Sequence, residues 1–214
     1  MRRSHGARPW RALTGLTLLA LLAVACSPAP ADTFAPPRAA LAYQRDLTRE
    51  AHAAWGLSAP VPVFAAQVHQ ESAWRADARS PVGAQGLAQF MPATARWMAE
   101  LYPNDLEGVQ PWNPRWALRA MVRYDGWLHR RVEGRTACDR WWFVLRAYNG
   151  GLGHVLAEKR LAADPFDRMS VDAQCGLAKR AALHCRENLG YPLRILLRHQ
   201  RLYAAWGPPV GCDD

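Results

Sequence analysis

The sequence has 214 residues, and 27 basic against 18 acidic side chains give it a formal net charge of +9. It contains no internal repeat, which excludes repeat architectures, and no low-complexity tract apart from one segment rich in Pro and Ala. A basic chain is attracted to anionic surfaces such as cell-wall polymer, lipopolysaccharide or a membrane, and charge for solubility alone is the alternative.

The N-terminal segment has the pattern of an export signal. Four arginines stand among the first eleven residues, and the apolar run 12–25 that follows is shorter than the about 20 residues that span a bilayer. We therefore predict a signal peptide over residues 1–25 and a periplasmic protein. Export also argues against nucleic acid as a partner.

Two processing routes remain open at the end of this segment. An Ala-x-Ala sequence ending at Ala25 fits ordinary signal-peptidase cleavage, whereas a small residue before Cys26 resembles a bacterial lipobox. We favour lipidation of Cys26 and a membrane anchor, although Ala23 occupies the usual Leu position. The Pro- and Ala-rich residues 26–38 are predicted to be a semi-rigid tether. Residues 39–214 are then long enough for one domain with its own core.

Apolar residues recur at helical spacing through this domain, and no alternating strand pattern appears. The sequence predicts a compact all-α domain of about seven helices, with Pro near several helix starts and Gly at helix ends. Residues 80–86, 102–114 and 162–176 are predicted connections. The predicted helices are, in chain order, Ala39–Trp55, Pro60–Ala73, Pro92–Leu101, Asn113 to about Val132, Cys138–Tyr148, Gly151–Leu161 and Asn188–Trp206.

The cysteines other than Cys26 are four in number, and an even count in an oxidising compartment predicts two disulfides. Because Cys175 and Cys185 flank a short loop, we expect Cys175–Cys185, which leaves Cys138–Cys212 to hold the tail. No C-x-x-C is present and the histidines are not at ligand spacing, so we expect neither a metal nor a cofactor.

Glu71 is the candidate for chemistry. It shares the inward stripe of the second predicted helix with Phe64 and Val68, and apolar surroundings raise the pKa of a carboxyl. A general acid near neutral pH needs such a shift, and the alternative is a last-turn Glu that reaches solvent. The loop that follows is rich in small residues, which allow close backbone approach. It lacks G-x-x-x-x-G-K and is not a phosphate loop.

Three motifs in this order resemble the catalytic domain of the soluble lytic transglycosylases, murein-cleaving relatives of goose-type lysozyme. They are Glu71-Ser72, the Ser-Pro-x-Gly-Ala-x-Gly-Leu-Ala-Gln of residues 80–89, and Ala147-Tyr148-Asn149. The similarity extends over about residues 61–203. The usual Gly-Leu-Met-Gln of the family has Ala88 in place of Met, which would thin an apolar wall of the sugar cleft.

The resemblance implies a lysozyme-like helical fold that binds peptidoglycan strands and cleaves the bond between N-acetylmuramic acid and N-acetylglucosamine, leaving a 1,6-anhydro end. Glu71 would be the catalytic acid and base. Tyr148 would direct its hydroxyl toward Glu71. The other residues implied to position the acid, bind glycan or shape the cleft are Ser72, Ser80, Gln89, Asn149 and, from a looser Glu-x-x-x-Tyr match, Glu187 and Tyr191.

One carboxylate suffices for this reaction because the substrate supplies its own acetamido group and the attacking hydroxyl, whereas ordinary glycosidases use two. Asp77 is the nearest candidate for a second carboxylate, which would permit a lysozyme-like hydrolysis. A non-catalytic glycan-binding protein is the third alternative, but a pure binder has no need of the acid. Of the ten tryptophans, one or two are expected to line the glycan groove.

Overall fold

The computed structural model of the protein describes residues 35–212, together with Met1. The predicted signal peptide, Cys26 and most of the predicted tether lie outside the described residues. Within these residues the chain is helical, with only isolated bridges around Gln85 in place of strands, so the all-α prediction is confirmed. No helix in this part of the chain is long and apolar enough to cross a membrane.

The helices follow one another with short connections, and the last α-helix continues into segments of π and 3-10 geometry. In chain order they are α1 (Arg38–Leu41), α2 (Gln44–Trp55), α3 (Val61–Ser72), α4 (Pro92–Leu101), α5 (Pro114–His129), α6 (Ala137–Gly150), α7 (Leu152–Leu161), α8 (Arg168–Asp172), a 3-10 turn (Ala182–His184), α9 (Cys185–Pro192), a π segment (Leu193–His199) and a 3-10 segment (Gln200–Trp206).

The predicted helices differ from these at four points, and elsewhere their boundaries differ by one or two residues at most. The first predicted helix is interrupted by a turn at residues 42–43, the long helix ends at His129, and the predicted loop 162–176 contains α8. The last helix starts earlier, at Cys185, so Pro192 lies at the end of α9 rather than in a first turn. Proline has no N–H to continue the α-helical bonding, and the π segment begins directly after it.

Local capping fixes where α5 and α6 begin. The Asn113 side chain accepts hydrogen bonds from the backbone N–H groups of Arg115 and Trp116. Thr136 and Asp139 form a reciprocal capping box at the start of α6. These two helices carry several of the side chains described below, so their starting points set the positions of those side chains.

Helix α3 lies at the centre of the core. Nearly all its side chains are buried, and it packs against α2 and against the π and 3-10 segments at the end of the chain. Phe64 packs edge-on against Trp55 and Trp141, with ring centroids 5.5 and 5.6 Å away. The polar end of α3 is thereby held rigidly at the edge of this core.

Both predicted disulfides are confirmed. Cys138 at the start of α6 is bonded to Cys212, and Cys175 is bonded to Cys185 at the start of α9. The first joins residues 74 positions apart and the second residues 10 positions apart. The shorter link closes the connection that follows α8.

Candidate active site

A cavity of about 670 Å³ opens where the end of α3, the loop after it, the end of α6 and the start of α9 meet. It is lined by every predicted site residue except Ser72. These residues are Glu71, Ser80, Gln89, Tyr148, Asn149, Glu187 and Tyr191. Residues 120 positions apart in the chain are thus brought to one cleft.

Glu71 lies in the last turn of α3, half-buried in the wall of this cavity. Its carboxylate accepts a hydrogen bond from the Tyr191 hydroxyl. Burial raises its pKa to about 7, with a smaller rise from the charge of Glu187, while the Tyr191 hydrogen bond and the charge of Arg194 lower it. A carboxyl with this pKa exists in both protonation states near neutral pH, which a group acting as acid and then as base requires.

The hydroxyl on Glu71 therefore belongs to Tyr191, and the prediction that Tyr148 would supply it was wrong. Tyr148 instead donates to the backbone carbonyl of Ala88 at 2.8 Å. Its ring packs beside Tyr124 and Phe90, with centroids 5.2 and 6.0 Å away, and this packing turns the hydroxyl toward the loop. Tyr148 thus holds the cleft wall in place.

The loop after α3 is a bonded structure rather than a loose connection. The Ser80 hydroxyl accepts from the Ala84 N–H at 2.9 Å, and the Gln89 amide nitrogen donates to two backbone carbonyls of the loop, at 2.8 and 2.9 Å. Gly86 has φ +72°, and a Cβ there would lie 2.0 Å from the Pro111 carbonyl oxygen. Only glycine permits the backbone at residue 86 to lie this close to Pro111, so this part of the cleft wall requires glycine at that position.

Ser72 and Ala88 lie away from the cavity. Ser72 is buried, and its hydroxyl donates to the Val68 carbonyl one turn earlier in α3 at 3.2 Å. The Ala88 side chain is fully buried in the core, so the expectation that it would thin the cleft wall is corrected. The Ala that replaces the family's Met at position 88 therefore affects the packing of the core and not the shape of the cleft.

The predicted second carboxylate and the predicted tryptophan lining are also absent from this cavity. Asp77 is exposed and does not line it. None of the tryptophans in residues 35–212 lines it either, and its aromatic surface comes from Phe90, Tyr124, Tyr148 and Tyr191. The indole rings near it are used in packing; Trp97, for example, contacts Tyr124 edge-on at 5.7 Å.

The other carboxylate on the cavity is Glu187, which lies at its rim. Its side chain is 65% exposed and is bonded to Arg194 at 2.6 Å. Glu187 is therefore solvated and paired with a cation, whereas Glu71 is half-buried and accepts from a tyrosine hydroxyl. The two acids therefore differ in environment as well as in depth.

A polar pair that the sequence analysis missed lies behind the cavity. Gln67, one turn before Glu71 in α3, donates through its amide nitrogen to the Asp125 carboxyl of α5 at 3.4 Å, and both side chains are fully buried. Gln67 Oε1 and Asp125 Oδ2 have no partner among the described residues. Burial raises the pKa of Asp125 well above its ordinary range. A polar residue four positions before Glu71, on an apolar face, is the signal that would have revealed it.

Residues 35–212 contain no group of three or more His, Cys, Asp or Glu side chains placed to hold a metal ion. The chemistry available at the cavity is proton transfer by Glu71, supported by neutral hydroxyls and amides. Burial keeps the pKa values of Tyr148 and Tyr191 well above their ordinary value, so both hydroxyls remain donors.

Comparison with known proteins agrees with this geometry. The family model described as the Transglycosylase SLT domain matches residues 47–168. Membrane-bound lytic murein transglycosylase F of Pasteurella multocida is 32% identical over 134 residues, covering 60% of this chain and 26% of that protein. The corresponding protein of Marinobacter nauticus is 30% identical over 152 residues, covering 69% and 28%. The chain thus spans about a quarter of the length of these curated relatives.

Among solved structures, the 70 kDa soluble lytic transglycosylase of Escherichia coli superposes with a TM-score of 0.59 at 24% identity, over 76% of this chain and 24% of that one. This likeness supports the lysozyme-like helical fold. The family model covers more than half of the 214 residues and includes α3, the cleft loop and the end of α6. The chain therefore belongs to the transglycosylase SLT domain family.

Proposed function

We propose that this protein is a peptidoglycan lytic transglycosylase in which Glu71 acts first as acid and then as base. The observation that carries the proposal is a single carboxyl with a pKa of about 7 inside a cleft of about 670 Å³. The family membership and the lytic murein transglycosylases among its relatives support the same activity.

In the first step protonated Glu71 donates its proton to the glycosidic oxygen between N-acetylmuramic acid and N-acetylglucosamine. The bond from C1 of the muramic acid to that oxygen breaks, and the N-acetylglucosamine leaves with a new hydroxyl. The acetamido group of the muramic acid stabilises the positive C1. A pKa of about 7 supplies a protonated acid at neutral pH, which an ordinary glutamate would not.

In the second step ionised Glu71 accepts the proton of the C6 hydroxyl, and that oxygen bonds to C1. The product is a 1,6-anhydro ring, and no water is consumed. The Tyr191 hydrogen bond stabilises the ionised form that exists between the two steps. Glu71 ends the cycle protonated, ready for the next bond.

The other cleft residues would bind and orient the glycan. The side-chain amide nitrogen of Gln89 donates to two backbone carbonyls. Its amide oxygen is therefore free to accept a hydrogen bond from a sugar hydroxyl. The Asn149 oxygen accepts from Asn188 at 3.1 Å, which leaves the Asn149 N–H groups for the substrate. Both side chains are therefore held in place before the substrate arrives.

Digestion of purified peptidoglycan followed by mass analysis of the fragments tests the proposal. We expect muropeptides with anhydro ends, each lighter by one water than a fragment with a reducing end. Glu71→Gln should abolish fragment release. Reducing-end fragments would instead establish hydrolysis, for which Glu187 is the second carboxylate on the cleft, and full activity of Glu71→Gln would exclude both reactions.

We also propose that the protein is exported and held at the membrane. The relatives above are named membrane-bound, and lipidation of Cys26 remains our prediction for the anchor. Cell fractionation tests it: Cys26→Ser should move the protein from the membrane to the soluble periplasmic fraction. An unchanged distribution would rule out the lipid anchor and leave the enzymatic proposal intact.

A further inference from the structure

A second recess, of about 310 Å³, adjoins the active cleft on the side of α7. Asn149 and Glu187 line both spaces, so the recess opens from the same region as the catalytic cavity. The mechanism above does not use it. The other residues that line it are Gly150, His154, Arg180, Ala181, His184 and Asn188.

The distinctive side chain of the recess is Arg180, which is only 5% exposed. In the described part of the chain its one hydrogen bond runs from Nε to Glu158 at 3.0 Å, and the buried Nη2 atom has no partner. A buried guanidinium normally has its donors satisfied, because an unmet donor costs on the order of 1–3 kcal/mol. Nη1 also makes no hydrogen bond within the described residues, and unlike Nη2 it is not buried, so it is the donor that Arg180 offers to the recess.

Arg180 shares its counter-charge with a second buried cation. Glu158, the carboxylate that pairs with Arg180 within residues 35–212, also pairs with the fully buried Arg146. Asp172 supplies the second negative charge of the group through Arg146, and burial raises the pKa of Asp172 to about 6. Protonation of Asp172 below that pH gives the network a net positive charge.

The remaining polar groups favour a negatively charged ligand. His154 lines the recess, and His184 is exposed at its edge. Glu187 is the one acid among the lining residues, and its charge is paired with Arg194. A guanidinium with a free Nη1 donor, beside the Asn149 amide and two imidazole rings, is an arrangement that binds a carboxylate.

The chain holds Arg180 in this position by two specific features. The Cys175–Cys185 disulfide closes the short loop that contains it. Its guanidinium lies directly on the backbone at the end of α6, where a Cβ on Gly150 would be 2.2 Å from Nη1. The loop carrying Arg180 lies after residues 47–168, which the family model matches, whereas Asn149, Gly150 and His154 lie within them.

We propose that this recess binds a carboxylate of the peptide carried by the muramic acid, with Arg180 as the principal contact. The inference rests on the proposed function, since it takes peptidoglycan as the substrate. The muramic acid next to the broken bond carries an acidic peptide, and the recess adjoins the cleft that would hold that sugar. The enzyme would then distinguish peptide-bearing glycan strands from bare ones.

The test compares kcat/KM for glycan strands that retain their peptides with kcat/KM for strands stripped of peptides by an amidase. We expect the native enzyme to prefer the peptide-bearing strands. Arg180→Gln should lower that preference about tenfold, the loss expected for one hydrogen bond to a charged group. Arg186→Gln removes an equal charge from an exposed position of α9 and should leave the preference unchanged.

Equal kcat/KM of the native enzyme on both substrates would overturn the inference, as would an equal loss of preference in Arg186→Gln. If Arg180→Gln does not fold, thermal shifts of the native enzyme with a soluble muramyl peptide decide the matter. The acidic peptide should raise the melting temperature and its fully amidated form should not; equal shifts would contradict the proposal. Failure of the proposed function would differ, because no anhydro product would form from either substrate.

Discussion

The pKa of Glu71 results from opposing influences that individual residues supply. Burial is the largest and raises it, Glu187 raises it further, and Tyr191 and Arg194 lower it, which leaves a pKa of about 7. Burial alone would hold the proton too firmly for the second step, while a solvated glutamate would lack the proton for the first. Burial therefore favours the protonated Glu71 that acts as the acid, and Tyr191 favours the ionised Glu71 that acts as the base.

The first prediction concerns the alkaline limb of the pH profile of kcat/KM, where protonated Glu71 is lost. Glu187→Gln removes a negative charge, so the pKa of Glu71 falls and the limb moves to lower pH. Tyr191→Phe removes a hydrogen bond to the carboxylate, so the limb moves to higher pH. Initial rates on peptidoglycan across the neutral range measure both shifts.

The control is Glu100→Gln, which changes an exposed acid of α4 that does not influence Glu71. It should leave the profile in place. Movement of the limb in the same direction for Glu187→Gln and Tyr191→Phe would show that the titrating group is not Glu71.

At the scale of elements, the Gln67–Asp125 pair joins α3 to α5 behind the cleft. An ionised Asp125 would leave a buried charge with one weak hydrogen-bond partner. A protonated Asp125 carries an O–H group that can donate to the unpartnered amide oxygen of Gln67. The raised pKa of Asp125 agrees with the protonated form. A neutral Asp125 also adds no repulsion when Glu71 ionises.

The second prediction follows from proton linkage at Asp125. Because its folded pKa is raised, its contribution to stability is complete below the unfolded value of about 4 and is lost as the pH rises to the folded value. Asp125→Asn keeps the neutral pair and removes the titration. Relative to the native protein, the variant should gain about 1.4 kcal/mol of unfolding free energy per pH unit through this window.

Urea unfolding at a series of pH values, followed by circular dichroism, measures the difference, and Glu71 cancels because it titrates in both proteins. Asp77→Asn, at an exposed acid, is the matched control and should track the native protein. A constant gap between Asp125→Asn and the native protein at all pH values would mean that Asp125 is ionised in the fold.

The helices could be predicted from the sequence where the spacing of apolar residues and a capping residue indicated the same start, as at Asn113 before α5. The cleft residues were also predictable, because motifs from α3, its loop and α6 meet at one place. The choice between Tyr148 and Tyr191 as partner of Glu71 was not, since it depends on how α6 and α9 are rotated in the packed core. The π segment after Pro192 could not be predicted either, because tertiary packing decides how a helix continues past a proline.

At the scale of the molecule, the two disulfides constrain different parts. Cys138–Cys212 ties the chain end to the start of α6, across 74 positions, and so limits the unfolded chain as a whole. Cys175–Cys185 closes 10 positions around Arg180. The chain-entropy account therefore assigns the first mainly to global stability, while the second also shapes the recess beside the cleft.

The last prediction separates these two contributions. Replacing both Cys138 and Cys212 by Ala should lower the unfolding free energy by about 4 kcal/mol, and replacing Cys175 and Cys185 by about 3 kcal/mol, as loop length dictates. Urea unfolding under non-reducing conditions measures both. At temperatures where both variants remain folded, only the second should lose preference for peptide-bearing glycan, because only its loop carries Arg180. An equal loss of preference in the two variants would mean that the recess depends on general rigidity and not on the position of Arg180.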